Sequence, residues 1–245
     1  MKQQMKMVLE MDDMQCQNYM KLHGNELFSY MLSNLGSPDS VLRDELIYRL
    51  FVKLISEQQL ETIQLTHALK ELITDRYLFA SIDEKGSDDV FIRSFSTLWL
   101  TGLFWLDQEH PFMDSELRSK ALEKSATYLL QERDTRGFVE GKGWAHSIAH
   151  GADLAAMIAS HSLVEKRLIP IILEGVASCF WKGGVYVDDE DERLVAIIMS
   201  LAKSDYPEEI LIEWMEQVFD KLDRKTPKKG YFQSFSTQEQ IFCNS

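Results

Sequence analysis

Apolar residues recur at helical spacing through almost the whole chain, and that periodicity limits the fold more than any other feature. Leu42, Leu46, Ile47, Leu50, Phe51 and Leu54 form one stripe. Val90, Phe91, Phe95, Leu98, Trp99, Leu103 and Leu106 form a second, and Leu194, Ile197, Ile198 and Leu201 a third. Such spacing turns one face of a helix toward a core. β-Branched alternation between hairpin turns is almost missing, and residues 184–187 are too few to build a sheet. With 12 glycines and 5 prolines in 245 residues the chain is poor in turns, while 45% hydrophobic residues suffice for a sizeable core. The expected class is all-α.

Acidic and hydroxyl residues mark the starts of these helices, where carboxylates offset the positive end of the dipole and cap free amides. Three of the starts resemble one another: Asp39 to Arg43, Asp89 to Arg93 and Asp189 to Arg193, each passing from acid to arginine in about a turn. His146, after Gly143-Trp144-Ala145, fits the same series, giving steps of 50, 53 and 47 residues between Arg43, Arg93, His146 and Arg193. Second helices are expected inside the intervals, at roughly 57–73, 115–130, 163–180 and 207–222. Helix pairs at periods near about 40–47 residues suggest an α-solenoid of antiparallel pairs, a superhelix like that of HEAT or armadillo repeats. The alternative is an irregular helical bundle whose acidic starts are ordinary caps. The expected organisation is a single helical-repeat domain over 1–245, with core repeats at about 37–222 and a C-terminal tail at 226–245 that caps the last repeat, swaps onto a neighbouring subunit or frays.

The densest functional signal is the segment Arg136 to Asp153. On one continuous helix His146, His150 and Asp153, at i, i+4 and i+7, share a face, and His161 lies on it too. Ala145, Ile148, Ala149, Ala152, Ala155, Ala156 and Ala159 form an opposing face of small residues that lets neighbouring helices approach closely. In a solenoid, equivalent positions line one edge, so Arg43, Arg93, His146 and Arg193 form a row with His150 and Asp153 beside it. Lys142 adds charge. Trp144, like Trp181, reads more readily as a core anchor than as a stacking surface.

Three chemistries compete for this row. The arginines offer charge-assisted hydrogen bonds to an acidic peptide or small anion, with Lys142, Trp144, His146, His150 and Asp153 completing the binding site. Alternatively His146 or His150 is a general base oriented by Asp153, which makes these three the catalytic candidates. In the third reading His146 and His150 bind a metal with Asp153, or with Glu140 from outside the helix, although Ser147 stands where zincins place glutamate. No cofactor loop is present: Gly137, Gly141 and Gly143 match neither the P-loop nor the dinucleotide fingerprint, so no cofactor and no resident metal is expected. The leading expectation is a binding or scaffold protein, and the alternative a metal-dependent or histidine-based hydrolase.

The segments Gly141-Lys142-Gly143-Trp144-Ala145-His146 and His150-Gly151-Ala152-Asp153-Leu154 resemble the signature of an uncharacterised bacterial family, domain of unknown function 2785. Leu42 to Leu46, Arg93 to Ser96 and Glu190 to Leu194 support the likeness, which covers roughly residues 40–200. The resemblance implies a cytoplasmic all-helical protein and carries no activity. Composition agrees in what it excludes. A formal net charge of −13 disfavours nucleic acid as a partner. The basic run at Lys221, Arg224, Lys225, Lys228 and Lys229 suits a helix C-terminus. Cys16, Cys179 and Cys243 follow no metal or redox spacing and suit a reducing compartment. No stretch approaches the ~20 apolar residues that span a bilayer, so the expected partner is a small molecule or peptide, with homo-oligomerisation left open.

Overall fold

Residues 1–225 are described in the computed structural model of the protein, and they are mostly helical. Two helices, α1 (Lys2–Leu9) and α2 (Asp13–Ser33), precede the first stripe. A π-helical segment, Val41–Tyr48, runs directly into α3 (Arg49–Ser56). Then come α4 (Thr62–Leu72), α5 (Asp89–Glu109), α6 (Ser115–Ala126) and the single turn α7 (Tyr128–Gln131). A two-residue hairpin, β1 (Phe138–Val139) against β2 (Gly143–Trp144), leads into α8 (Ser147–Ser160). A 3₁₀ turn (Lys166–Leu168), α9 (Ile169–Cys179), α10 (Glu190–Ala202) and α11 (Glu208–Lys225) complete the chain.

The boundaries follow local chemistry. At α2, Asp12 and Gln15 exchange side-chain and main-chain bonds in a capping box, and Glu61 and Gln64 repeat the arrangement at α4. That second box starts α4 later than the periodicity suggests, because Gln58 turns left-handed (φ 52°) after α3. The helix expected at 115–130 breaks after Ala126, and the one expected at 163–180 opens with the 3₁₀ turn before Pro170 settles into the first turn of α9. The tail 226–245, with Lys228, Lys229 and Cys243, lies outside the described residues; Cys16 and Cys179 are free and buried.

The helices α3, α5, α8 and α10 touch in that order. Behind them α4 contacts α6, and α6 and α7 contact α9. The core runs continuously from Met5 to Leu222, with the Trp99 indole lying flat on Phe51 (centroids 4.1 Å apart, 5° between planes). Within it α8 is flanked by α5 and α10, with Ile148, Ala149, Ala152, Ala155 and Ala159 all buried. Gly151 is required by this closeness: a Cβ there would lie 2.6 Å from the Tyr128 ring. Among the described residues no helix is long and apolar enough to cross a membrane.

One buried ion pair ties the two rows of helices together. Arg93 in α5 has no solvent exposure and binds the equally buried Glu132 through two hydrogen bonds, Nε–Oε2 2.8 Å and Nη2–Oε1 3.0 Å. Its Nη1 donates to the carbonyls of Ala80 and Ser81. Glu132 also accepts from the Tyr128 hydroxyl and from the amides of Arg133 and Asp134. Removing one member of such a pair strands the other charge without water. Glu132→Gln is therefore expected to lower stability by about 3–5 kcal/mol, measured as a shift of the urea unfolding curve.

Candidate functional site

The starts of α5, α8 and α10 gather at one edge with the π-helical segment. The hairpin is seated there by its glycines: Gly141 and Gly143 take φ of 73° and 80°, open to glycine at no steric cost. A Cβ on Gly143 would come within 2.9 Å of Ser40 and 3.1 Å of the Arg43 guanidinium. Arg43 clamps the hairpin from beneath. It donates to the carbonyls of Ser37 (2.8 Å), Lys142 (2.9 Å) and Trp144 (3.4 Å), and both Nε and Nη2 bind Asp44. The rings of Phe91 and Phe95 cover its face at 4.2 and 4.9 Å.

Two members of the expected arginine row are thus withdrawn from any ligand. Arg43 and Arg93 are sealed from water with their donors matched, because a buried guanidinium is tolerated only when its hydrogen bonds are met. Lys142 pairs with Asp88 at the surface (2.7 Å). Trp144 is no core anchor: its indole is partly exposed, edge-to-face with Phe138 and 4.4 Å from the His146 ring.

The histidines differ from their helical reading. His146 is not inside α8 but is its N-cap, in a left-handed conformation (φ 48°), because the hairpin ladder extends through Ala145 N–H to Gly137 O and His146 N–H to Arg136 O. Its ring still meets His150, 5.6 Å away and nearly perpendicular. His150 is fixed by Ser94: the Ser94 hydroxyl donates to the Ala145 carbonyl, so its oxygen accepts from His150 Nδ1–H at 2.7 Å. That leaves the Nε2 lone pair without a protein partner among the described residues. Burial, then the neighbouring His146, Arg193 and Arg43, push the His150 pKa well below its ordinary value. Burial also lowers that of His146. Ser94 is no nucleophile, being buried with its proton already given to a carbonyl.

Asp153 belongs to an ion pair rather than to a histidine: Arg193 reaches across from α10 to hold it. Burial raises the Asp153 pKa against that pairing. Tyr48, whose hydroxyl pKa is raised by burial and by the Asp153 charge, stands beside the pair and packs edge-on to Phe95. The set able to hold a cation is therefore not His146, His150 and Asp153, and Glu140 is exposed on the hairpin turn. It is His146 with Asp188 and Glu190, whose donor atoms all lie within 4.8 Å of one another. Asp188 and Glu190 stand in the acidic run that opens α10, which reads in the sequence as a cap. Ser94, Tyr48 and Glu132 carry no sequence signal beyond their residue type. Two surface grooves, of about 390 Å³ beside Asn25 and Gln64 and about 410 Å³ between α9 and α11, do not reach this cluster.

The family model for proteins of unknown function DUF2785 matches residues 78–240, two thirds of the chain. The chain belongs to this family. The DUF2785 match takes in the hairpin, α8 and the acidic run, includes most of the tail, and leaves the Leu42 to Leu46 segment outside. No curated protein and no solved structure matches the chain.

His161, expected on the polar stripe, ends α8 as a buried C-cap, its Nδ1 accepting from the Leu163 amide at 3.1 Å. Burial lowers its pKa, opposed by Asp107 and reinforced by Arg118. A histidine kept neutral in the folded state takes up its proton more readily when unfolded, so its contribution falls as pH drops through its unfolded value near ~6.5. Between pH 7.5 and 5.5, the stability difference between wild type and His161→Asn is expected to move in the variant's favour, as read from urea midpoints at both pH values.

Proposed function

We propose that this DUF2785 protein is a binding protein built of stacked antiparallel helix pairs in the manner of HEAT or armadillo repeats, and that it holds a small anion or the acidic side chains of a peptide at the edge where α8 and α10 begin. The succession α3, α5, α8, α10, backed by α4, α6 and α9, supports the repeat reading. In such a stack the helix starts share an edge, and the hairpin and the π-helical segment enclose it here.

The observation that carries the ligand reading is the state of Arg193. Unlike Arg43 and Arg93 it is partly exposed, with 38% of its side chain open, and among the described residues only its Nη1 is engaged, by Asp153. Its remaining donors suit a carboxylate or phosphate, which a planar guanidinium grips through paired bonds. Beside it the Tyr48 hydroxyl supplies a further donor. The histidine-base alternative is less well supported, because His150 is oriented by a serine whose hydroxyl is already committed and Asp153 is paired elsewhere.

Calorimetry with inorganic phosphate, succinate and a glutamate-rich peptide tests this directly. At least one is expected to bind, and Arg193→Gln to weaken it by roughly tenfold to a hundredfold, the worth of a charge-assisted hydrogen bond of about 1.5–3 kcal/mol. Equal binding by wild type and Arg193→Gln, or no binding of any of the three, removes the proposal.

A further inference from the structure

We infer that His146, Asp188 and Glu190 form a binding site for one divalent transition-metal cation, separate from the anion contacts of Arg193. One imidazole and two carboxylates make a mixed nitrogen and oxygen donor set suited to Zn²⁺ or Mn²⁺. Their donor atoms already lie within 4.8 Å of one another, and His146 Nε2 stands 3.9 Å from Glu190 Oε1. Ligands at ~2.0–2.2 Å from a tetrahedral ion are about 3.4 Å apart, so rotamer adjustments suffice to close the set.

Two independent observations point to a cation site. First, His146 Nε2 is buried and has no hydrogen-bond partner among the described residues, a state that native structures rarely leave unexplained. Second, Glu190 is a carboxylate with 2% exposure, yet its hydrogen bonds come only from main-chain amides, those of Asp188 and its own residue. Among the described residues neither Glu190 nor Asp188 pairs with a lysine or arginine. Two carboxylates side by side, one of them buried, call for positive charge. A metal ion meets both needs, because it takes the imidazole lone pair and neutralises the acids.

The surrounding backbone holds the three together. His146 (φ 48°) and Asp189 (φ 68°) are both left-handed without being glycine, a conformation kept only where packing enforces it. Gly137 closes the opposite side: a Cβ there would lie 2.2 Å from Asp188 Oδ2 and 3.2 Å from Glu190 Oε1. No fourth protein donor joins the set among the described residues, so a bound ion keeps a position for water or for a ligand oxygen.

The full chain, stripped of metal by a chelator and dialysed, is titrated calorimetrically with Zn²⁺ and Mn²⁺, and with Co²⁺ while its visible absorption is recorded. One ion per chain is expected to bind at submillimolar concentration or tighter, with a rise in melting temperature and cobalt bands reporting nitrogen ligation. His146→Gln and Glu190→Gln each weaken binding by at least about tenfold. Gly137→Ala, which leaves every donor in place but displaces Asp188, weakens it as well, and serves if Glu190→Gln fails to fold. Replacing the exposed His67 by alanine changes nothing. Absence of one-to-one binding, or equal affinity in wild type, His146→Gln and Gly137→Ala, overturns the site. Phosphate binding lost in Arg193→Gln with zinc binding intact, or the reverse, separates this inference from the anion reading.

Discussion

A guanidinium withdrawn from water must find a partner at each of its three nitrogens, and this requirement organises the edge of the molecule on which everything else rests. Arg93 answers it with Glu132 and the carbonyls of Ala80 and Ser81. Arg43 answers it with Asp44 and the carbonyls of Ser37, Lys142 and Trp144. Each arginine therefore gathers loops far apart in sequence and fixes them relative to a helix. The hairpin has only two residues in each strand and could not hold its place alone. Arg43 below it and the close contact at Gly143 supply what its own ladder lacks. Because the hairpin is held, His146 is delivered at a fixed angle to the start of α8.

The remaining polar groups at this edge form a graded series. His150 is locked by Ser94 and kept neutral. His146 is oriented but has a nitrogen without a partner. Arg193 and Asp153 form a pair that is only half hidden. The share of bonding capacity already committed thus falls from Ser94 and His150 to His146 and Arg193. That ordering is what a binding site requires: firmly supported groups behind, adjustable ones in front.

Much of the architecture was legible in the residues themselves. The acidic openings located the starts of α5 and α10, and periodicity the existence of the intervening helices, because burial of an apolar stripe dictates where such residues stand. The small-residue face of α8 was equally readable, since Ala149, Ala152 and Ala155 leave no other use for that side. The direction taken by long side chains was not. Arg43, Arg93 and Arg193 occupy similar places relative to their helix starts, yet two turn inward and one outward, and the difference lies in partners up to about a hundred residues away, such as Lys142 and Glu132. The left-handed turn at His146 was hidden for a related reason. An i, i+4 spacing assumes a continuous helix, and only the ladder to Arg136 and Gly137 reveals that the helix begins one residue later. Asp188 and Glu190 were visible as acids but not as partners of His146, since their meeting depends on the return of the chain through α9. Neither α1 nor α2 was read from the sequence, although α2 carries capping chemistry at Asp12 and Gln15.

The π-helical turn at Val41–Tyr48 has a consequence of its own. Arg43 and Tyr48 are five positions apart, and both touch Phe95, one by its guanidinium and the other by its ring. In a regular α-helix, at 100° per residue, five positions separate two side chains by about 140°, too far round the cylinder to share one small target. The widened i→i+5 winding brings them onto a common side. The residue count of this segment is thus a geometric gauge. Winding the same eight residues at ordinary α-helical pitch would swing the phenol away from the guanidinium and uncouple Tyr48 from the clamp under the hairpin, whereas excising one residue along with the widened turn would leave the two four positions apart, about 40° round the axis and still on one side.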